Sequence, residues 1–218
     1  MTYRLYNRDG SGGFVVEAAL ALAEAPYELV ALESSPGTPL PESFREINPW
    51  GQVPVLYLPD GTMMTESAAM IVHIAACHPE KDLAPRPGTP AHGQFLRWTV
   101  FMSVNLYEGI LRKGYPRRYT TDADGAAGVS EAGAKRLRDG LGLIESELRP
   151  GAYLLGKTMS VADVYLAMLN AWHGIGEGLP GCDALTHRVA AHPVIAPIWQ
   201  RNFDHRLSTL WGRTEASG

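Results

Sequence analysis

The strongest constraint on this chain lies between Asn48 and Ala69. Asn48-Pro49-Trp50-Gly51-Gln52 reads as a loop, and Val53-Pro54 leads it into a short apolar strand. Asp60-Gly61 is a strong hairpin-turn signal, so residues 55–58 and about 62–64 are expected to pair. Thr65-Glu66-Ser67 then stands where the second strand gives way to the apolar run 68–76. The first turn of a helix presents unpaired N–H groups and the positive end of its dipole, so this junction is a place to hold a carboxylate.

Upstream, residues 3–6 read as a strand and Asn7-Arg8-Asp9-Gly10-Ser11-Gly12-Gly13 as a polar, glycine-rich turn. Residues 14–25 carry apolar side chains at helical spacing up to Pro26, and residues 27–32 form a second strand. Strand, helix and strand within about 30 residues make a βαβ unit, which calls for a parallel pair and a right-handed crossover. Residues 33–52 connect it to the hairpin, with room for a short helix at 41–47. The order is thus βαβ, connection, ββα.

Composition shifts abruptly after this unit. Pro79, Pro85, Pro87, Gly88 and Pro90 forbid a continuous helix, and the expected division is a first domain at 1–78, a linker at 79–91 and an all-helical domain at 92–218. In the last part, residues 91–113 place Phe95, Trp98, Phe101, Met102, Leu106, Ile110 and Leu111 along one helical stripe, and residues 125–148 carry a second. Ser160-Val161-Ala162-Asp163 is a capping box that opens an apolar helix over 161–172; each half of such a box contributes about 1 kcal/mol. A final helix is expected at 195–203 with Pro193 in its first turn, and residues 212–218 are expected to be loose.

Several function classes find no support. A formal net charge of −4 over 218 residues gives no basic footprint for nucleic acid. Cys77 and Cys182 stand at neither metal nor CxxC spacing and read as free thiols of a reducing compartment. The N-terminus has no apolar signal-peptide core and no apolar run reaches about 18 residues, so a cytoplasmic protein without a membrane partner is expected. Gly10-x-Gly12-Gly13 lacks the third spaced glycine and the later acidic residue of a dinucleotide site. The histidines show no metal spacing.

A proline entering a strand, a hairpin, and Glu-Ser at a helix start resemble the glutathione site of the glutathione S-transferase superfamily. Gly156-x-x-x-Ser160-Val161-Ala162-Asp163 resembles the folding motif of that family's helical domain. The resemblance runs from Leu5 to about Phe203. It implies a thioredoxin-like domain followed by a helical bundle, a homodimer, and glutathione as co-substrate. It implies that Pro54 is cis, that Val53 pairs its backbone with the bound peptide like an added strand, and that Glu66 and Ser67 take the γ-glutamyl end. Trp50 and Gln52 are the nearest candidates for the glycine carboxylate, although the family often has lysine where Gln52 stands.

Glutathione chemistry needs a thiolate near neutral pH from a thiol of pKa about 8.5–9. The site must therefore stabilise the anion by one or two pH units, roughly 1.4 kcal/mol each. Ser11 occupies the position of the catalytic serine of the theta and delta classes, and would donate its hydroxyl to the sulfur with help from the N–H groups of Gly12 and Gly13. Asn7 is the runner-up for that contact. No cysteine stands where the beta and omega classes carry one, and Tyr6 lies next to the tyrosine position of other classes. The electrophile pocket is expected between the Ser11 loop and the first long helix of the second domain, lined by Phe14, Phe101, Ser103 and Tyr107. The implied activity is conjugation of glutathione to a small apolar electrophile. The alternatives are a glutathione-dependent disulfide reductase or ether-cleaving enzyme, and a non-catalytic binding protein of the same fold.

Overall fold

The computed structural model describes residues 2–33, 40–122 and 124–204, so the expectation for 212–218 lies outside the described residues. Strand β1 (Tyr3–Asn7) is followed by helix α1 (Gly13–Leu22) and strand β2 (Tyr27–Ala31). A 3-10 turn at Glu42–Glu46 leads to β3 (Val55–Tyr57), β4 (Met63–Met64) and α2 (Ser67–Cys77). The sheet order is β2-β1-β3-β4. Strands β1 and β2 run parallel with Leu5 opposite Leu29, and β1 pairs antiparallel with β3, placing Leu5 opposite Leu56. At the hairpin Gly61 takes a φ of +89°, and the Asp60 carboxylate accepts the Thr62 N–H at 2.8 Å. Gly61 there is a conformational requirement.

Helix α1 stops before the expected position. Ala25 N–H donates to the Leu20 carbonyl at 3.0 Å and Glu24 N–H to that of Ala21 at 3.0 Å, with Glu24 at a φ of +52°. This pairing is a Schellman closure with a non-glycine residue at the left-handed position.

The helical part begins with α3 (Pro90–Phe101), whose His92 N–H donates to the Thr89 side chain at 3.2 Å. It runs without interruption through a π-helical segment, Met102–Tyr107, into α4 (Glu108–Gly114). The single helix expected over 91–113 therefore contains a widened turn. Helix α5 (Ala126–Glu147) packs against α4 and the π segment. A Cβ on Gly133 would stand 2.9 Å from the Gly109 carbonyl oxygen and one on Gly140 2.4 Å from a Leu106 methyl, so these two glycines let the helices approach closely.

Helix α6 (Val161–His173) is buried on every side from Val161 to Trp172 and packs against α1, α2, α3 and α4. Its capping box is present, with Ser160 N–H donating to Asp163 Oδ2 at 2.8 Å. The Ser160 hydroxyl donates to the same oxygen, and Asp163 Oδ1 accepts the Leu154 N–H at 2.6 Å. Helix α7 (Pro180–Ala190) has no counterpart in the elements read from the sequence. The last helix, α8 (Ala196–Trp199), starts later than expected, with Pro197 rather than Pro193 in its first turn, and passes into a π segment at Gln200–Asp204. Among the described residues, no helix is long and apolar enough to cross a membrane, and no group of three His, Cys, Asp or Glu side chains is placed to hold a metal ion.

Candidate functional site

A cleft of about 220 Å³ separates the sheet from the helical part. One wall is the loop before β3 and the start of α2: Asn48, Trp50, Gln52, Val53, Pro54, Thr65, Glu66 and Ser67. The π segment and α4 form the other, with Ser103, Val104, Tyr107, Glu108 and Leu111, and Tyr165 of α6 completes it.

The sheet-side wall is fixed by local chemistry. The Val53-Pro54 bond is cis, and Val53 precedes the first paired residue of β3. Asn48, nearly buried, braces the loop from inside. Its Nδ2 donates to the Gln52 carbonyl at 2.7 Å and its Oδ1 accepts the Trp50 N–H at 3.1 Å. No role for Asn48 is read from the sequence, although an Asn ahead of a Pro-Trp-Gly turn is a recognisable loop-bracing residue. Trp50 is left 75% exposed at the mouth. Glu66 takes a φ of +65° immediately before α2, and Ser67, 8% exposed, is the first helical residue. A carboxylate at Glu66 beside the open N–H groups and hydroxyl of a helix start suits a zwitterionic amino-acid group. The neighbouring extended loop suits a short peptide main chain.

The π segment sets the opposite wall, and its widened turn brings Ser103 and Tyr107 together onto the cleft. The Tyr107 hydroxyl lies so close to the Ser11 loop that a Cβ on Gly12 would stand 2.6 Å from it. Tyr107 also meets Trp172 edge-on at 5.3 Å. Burial pushes the Tyr107 phenol well above its ordinary value, with the Tyr165 and Glu66 charges acting in the same direction. Burial pushes Tyr165 up to about 12, against the opposing pull of the Ser103 and Ser67 hydroxyls. Both phenols are therefore protonated donors at neutral pH.

Ser11 and Asn7 are brought together beside the cleft and not in its wall. The Ser11 hydroxyl donates to Asn7 Oδ1 at 2.6 Å, and Asn7 is buried. Gly13 N–H reaches Ser11 Oγ at 3.4 Å, a long contact, and Gly12 caps α1 without a side-chain hydrogen bond. Two residues expected in the electrophile pocket are elsewhere. Phe14 is fully buried and meets Trp199 and Phe203 edge-on at 5.6 and 4.9 Å, because a side chain on the first turn of α1 points into the layer between sheet and bundle. Phe101 meets Trp98 edge-on at 5.5 Å and lines a separate groove with Asn105 and Leu143, on another face of the helix from Ser103.

A four-stranded mixed sheet with a cis-proline loop facing a helical bundle defines a thioredoxin-like domain joined to an all-helical one. Residues 15–77 match the family described as "Glutathione S-transferase, N-terminal domain". The chain is 27% identical over 206 residues to the uncharacterised GST-like protein YncG of Escherichia coli K12, covering 91% of this chain and 98% of that protein. A glutathione transferase homologue from Sulfitobacter, solved with bound glutathione, superposes with a TM-score of 0.82 at 24% identity, covering 93% of this chain and 99% of that one. A glutathione transferase from Methylococcus capsulatus Bath does so at 0.77 and 26%, covering 91% and 97%. The match over residues 15–77, the curated relatives and the solved structures together support the glutathione S-transferase superfamily for this chain.

Proposed function

We propose that the protein is a glutathione transferase that joins the sulfur of glutathione to a small apolar electrophile. The observation carrying this reading is the convergence on one cleft of an extended loop ending in cis Val53-Pro54, a helix start offering Glu66 and Ser67, and the Tyr107 hydroxyl against the Ser11 loop. The γ-glutamyl end of the tripeptide sits at Glu66 and Ser67, its backbone runs along Val53, and its glycine carboxylate lies toward Gln52 and Trp50. Its thiol then faces Ser11, Asn7 and the N–H groups of Gly12 and Gly13 at the start of α1. The thiol releases its proton to solvent water, the sulfur forms a bond to the electrophilic carbon, and the leaving group departs with the bonding pair. Ser103, Val104, Tyr107 and Leu111 supply the electrophile's side of the cleft.

Residues 1–78 are the glutathione-binding domain, 79–91 the linker and 92–218 the electrophile-binding domain of a cytoplasmic homodimer. The dimer reading is supported by Leu96, Val100 and Val104, which lie exposed at four-residue spacing and lead to the mouth of the cleft.

The test is retention on immobilised glutathione together with thiolate absorbance on mixing, followed by comparison of a chlorinated aromatic and a small disulfide as substrates. Retention, thiolate and turnover of the aromatic are expected. Turnover of the disulfide alone points to a reductase, and neither retention nor thiolate points to a binding protein; either result overturns the reading.

A further inference from the structure

We infer that Asn202, in the π segment after α8, is a positioning residue for the sulfur site: its side chain fixes the Gly10–Ser11 backbone and so sets where the Ser11 hydroxyl stands. This rests on the proposed function for the meaning of the site, and on geometry for the contact itself.

Asn202 is fully buried, and its amide is committed at both ends. Nδ2 donates to the Ile198 carbonyl at 2.8 Å, and Oδ1 accepts the Gly10 N–H at 2.9 Å. A carbonyl on one side and an N–H on the other permit only one orientation of the amide. Gly10 takes a φ of +72°, a left-handed turn that reverses the chain just before Ser11, and Asn202 holds it there. The adjacent Arg201 bonds Asp9 at 3.2 Å and also pairs with the buried carboxylate of Glu17 on α1. Two consecutive residues near the end of the described chain thus grip the sulfur loop and the helix that follows it.

Docking of this segment does not require the amide. Trp199 and Phe203 already pack edge-on against the buried Phe14. The Asn202 bond adds direction to an apolar contact, and direction is what a donor aimed at a sulfur atom depends on.

The experiment uses the full chain with Asn202→Leu, which removes the acceptor at similar size, and Asn202→Asp, which keeps an acceptor facing Gly10; Asn202→Ala replaces the leucine variant if that one does not fold. Three quantities are measured: the pH dependence of bound-glutathione thiolate absorbance, kcat and KM separately, and amide exchange across residues 8–13. The leucine variant is expected to lower kcat about tenfold, to move the bound thiol toward its free titration range and to speed exchange at Gly10, with KM for glutathione changed by less than about twofold because the anchors at Val53, Glu66 and Ser67 are untouched. The aspartate variant is expected to recover most of kcat. Unchanged kcat and thiol titration in the leucine variant, or no recovery with aspartate, overturns the inference while leaving the transferase reading in place. If the unaltered protein forms no thiolate with glutathione, that reading falls instead, and unchanged exchange at Gly10 in the leucine variant then overturns the positioning role by itself.

Discussion

The Ser11 hydroxyl donates to Asn7 Oδ1 at 2.6 Å, so the two side chains that stand as rivals for a sulfur atom form one hydrogen-bonded unit. With no thiolate present the hydroxyl's single proton goes to buried Asn7, so donation to a bound sulfur requires the hydroxyl to turn from Asn7 to the sulfur. Removing Ser11 with Ser11→Ala is expected to lower kcat/KM about 100-fold, the scale for losing one aimed donor. The acid limb of the pH–rate profile, where activity rises as the bound thiol ionises, should shift upward by about one pH unit as thiolate stabilisation is lost. Asn7→Ala is expected to act in the same direction, and the double variant to cost much less than the sum. Additive losses in a double-mutant cycle contradict a single unit.

Gly13 is required for space and not for its backbone angle. A Cβ there would stand 2.0 Å from Asn7 Oδ1. Gly13→Ala must push the buried amide aside, at a cost of about 1–3 kcal/mol. That corresponds to a fall of about 5 °C in Tm for a chain of this size, with activity falling further than Tm alone explains. Calorimetry and steady-state kinetics on the same preparation check both.

His173 links stability to mild acid. Burial first, then the Lys113 and Arg138 charges, hold its imidazole below the ordinary value of 6.5, and Nδ1 finds no hydrogen-bond partner among the described residues. The folded protein thus favours the neutral ring, while the unfolded chain takes up a proton near pH 6.5. Its contribution is fully present above that pH and is lost as pH falls from 6.5 through the lower folded value. Urea midpoints measured from pH 7.5 downward should decline faster in the unaltered protein than in His173→Gln.

The two thiols should be told apart by reagent. Cys77 is exposed. Cys182 is buried, and burial followed by the Glu145 carboxylate pushes its thiol well above the ordinary range. One equivalent of a disulfide reagent should react in the native protein and a second only in denaturant. Two rapid equivalents without denaturant contradict the packing of α7.

Val100, 59% exposed on α3, tests the dimer. Val100→Asp is expected to convert a dimeric elution volume into a monomeric one, with the helix content of the far-UV spectrum unchanged. A monomer before the substitution removes the dimer from the proposal.

Much of the molecule can be read from local chemistry, and the failures have two causes. The Asp60-Gly61 turn and the Ser160-Asp163 box are each completed within a few residues, so the elements they punctuate are legible. Helix α7 is not, because its first-turn N–H groups at Gly181 and Cys182 are met at 2.7 and 2.8 Å by Glu145 of α5, a cap supplied from another helix. The early end of α1 is hidden by Glu24 at a position where glycine is the usual sign. Phe14 reads as a pocket residue until Trp199 and Phe203 arrive from the other end of the chain. The π turn is invisible to apolar periodicity, yet it sets where Tyr107 stands over Gly12. Two of these misses, α7 and Phe14, are contacts distant in sequence, and the other two are local backbone geometries without a residue signature.

Helix α6 touches α1 and α2 of the first domain as well as α3, α4 and α7, with no face given to water from Val161 to Trp172. Neither half of the molecule can loosen without wetting that rod, so heat or denaturant should melt both halves in one sharp step, and a cut in the proline-rich segment between them should leave two fragments that remain associated.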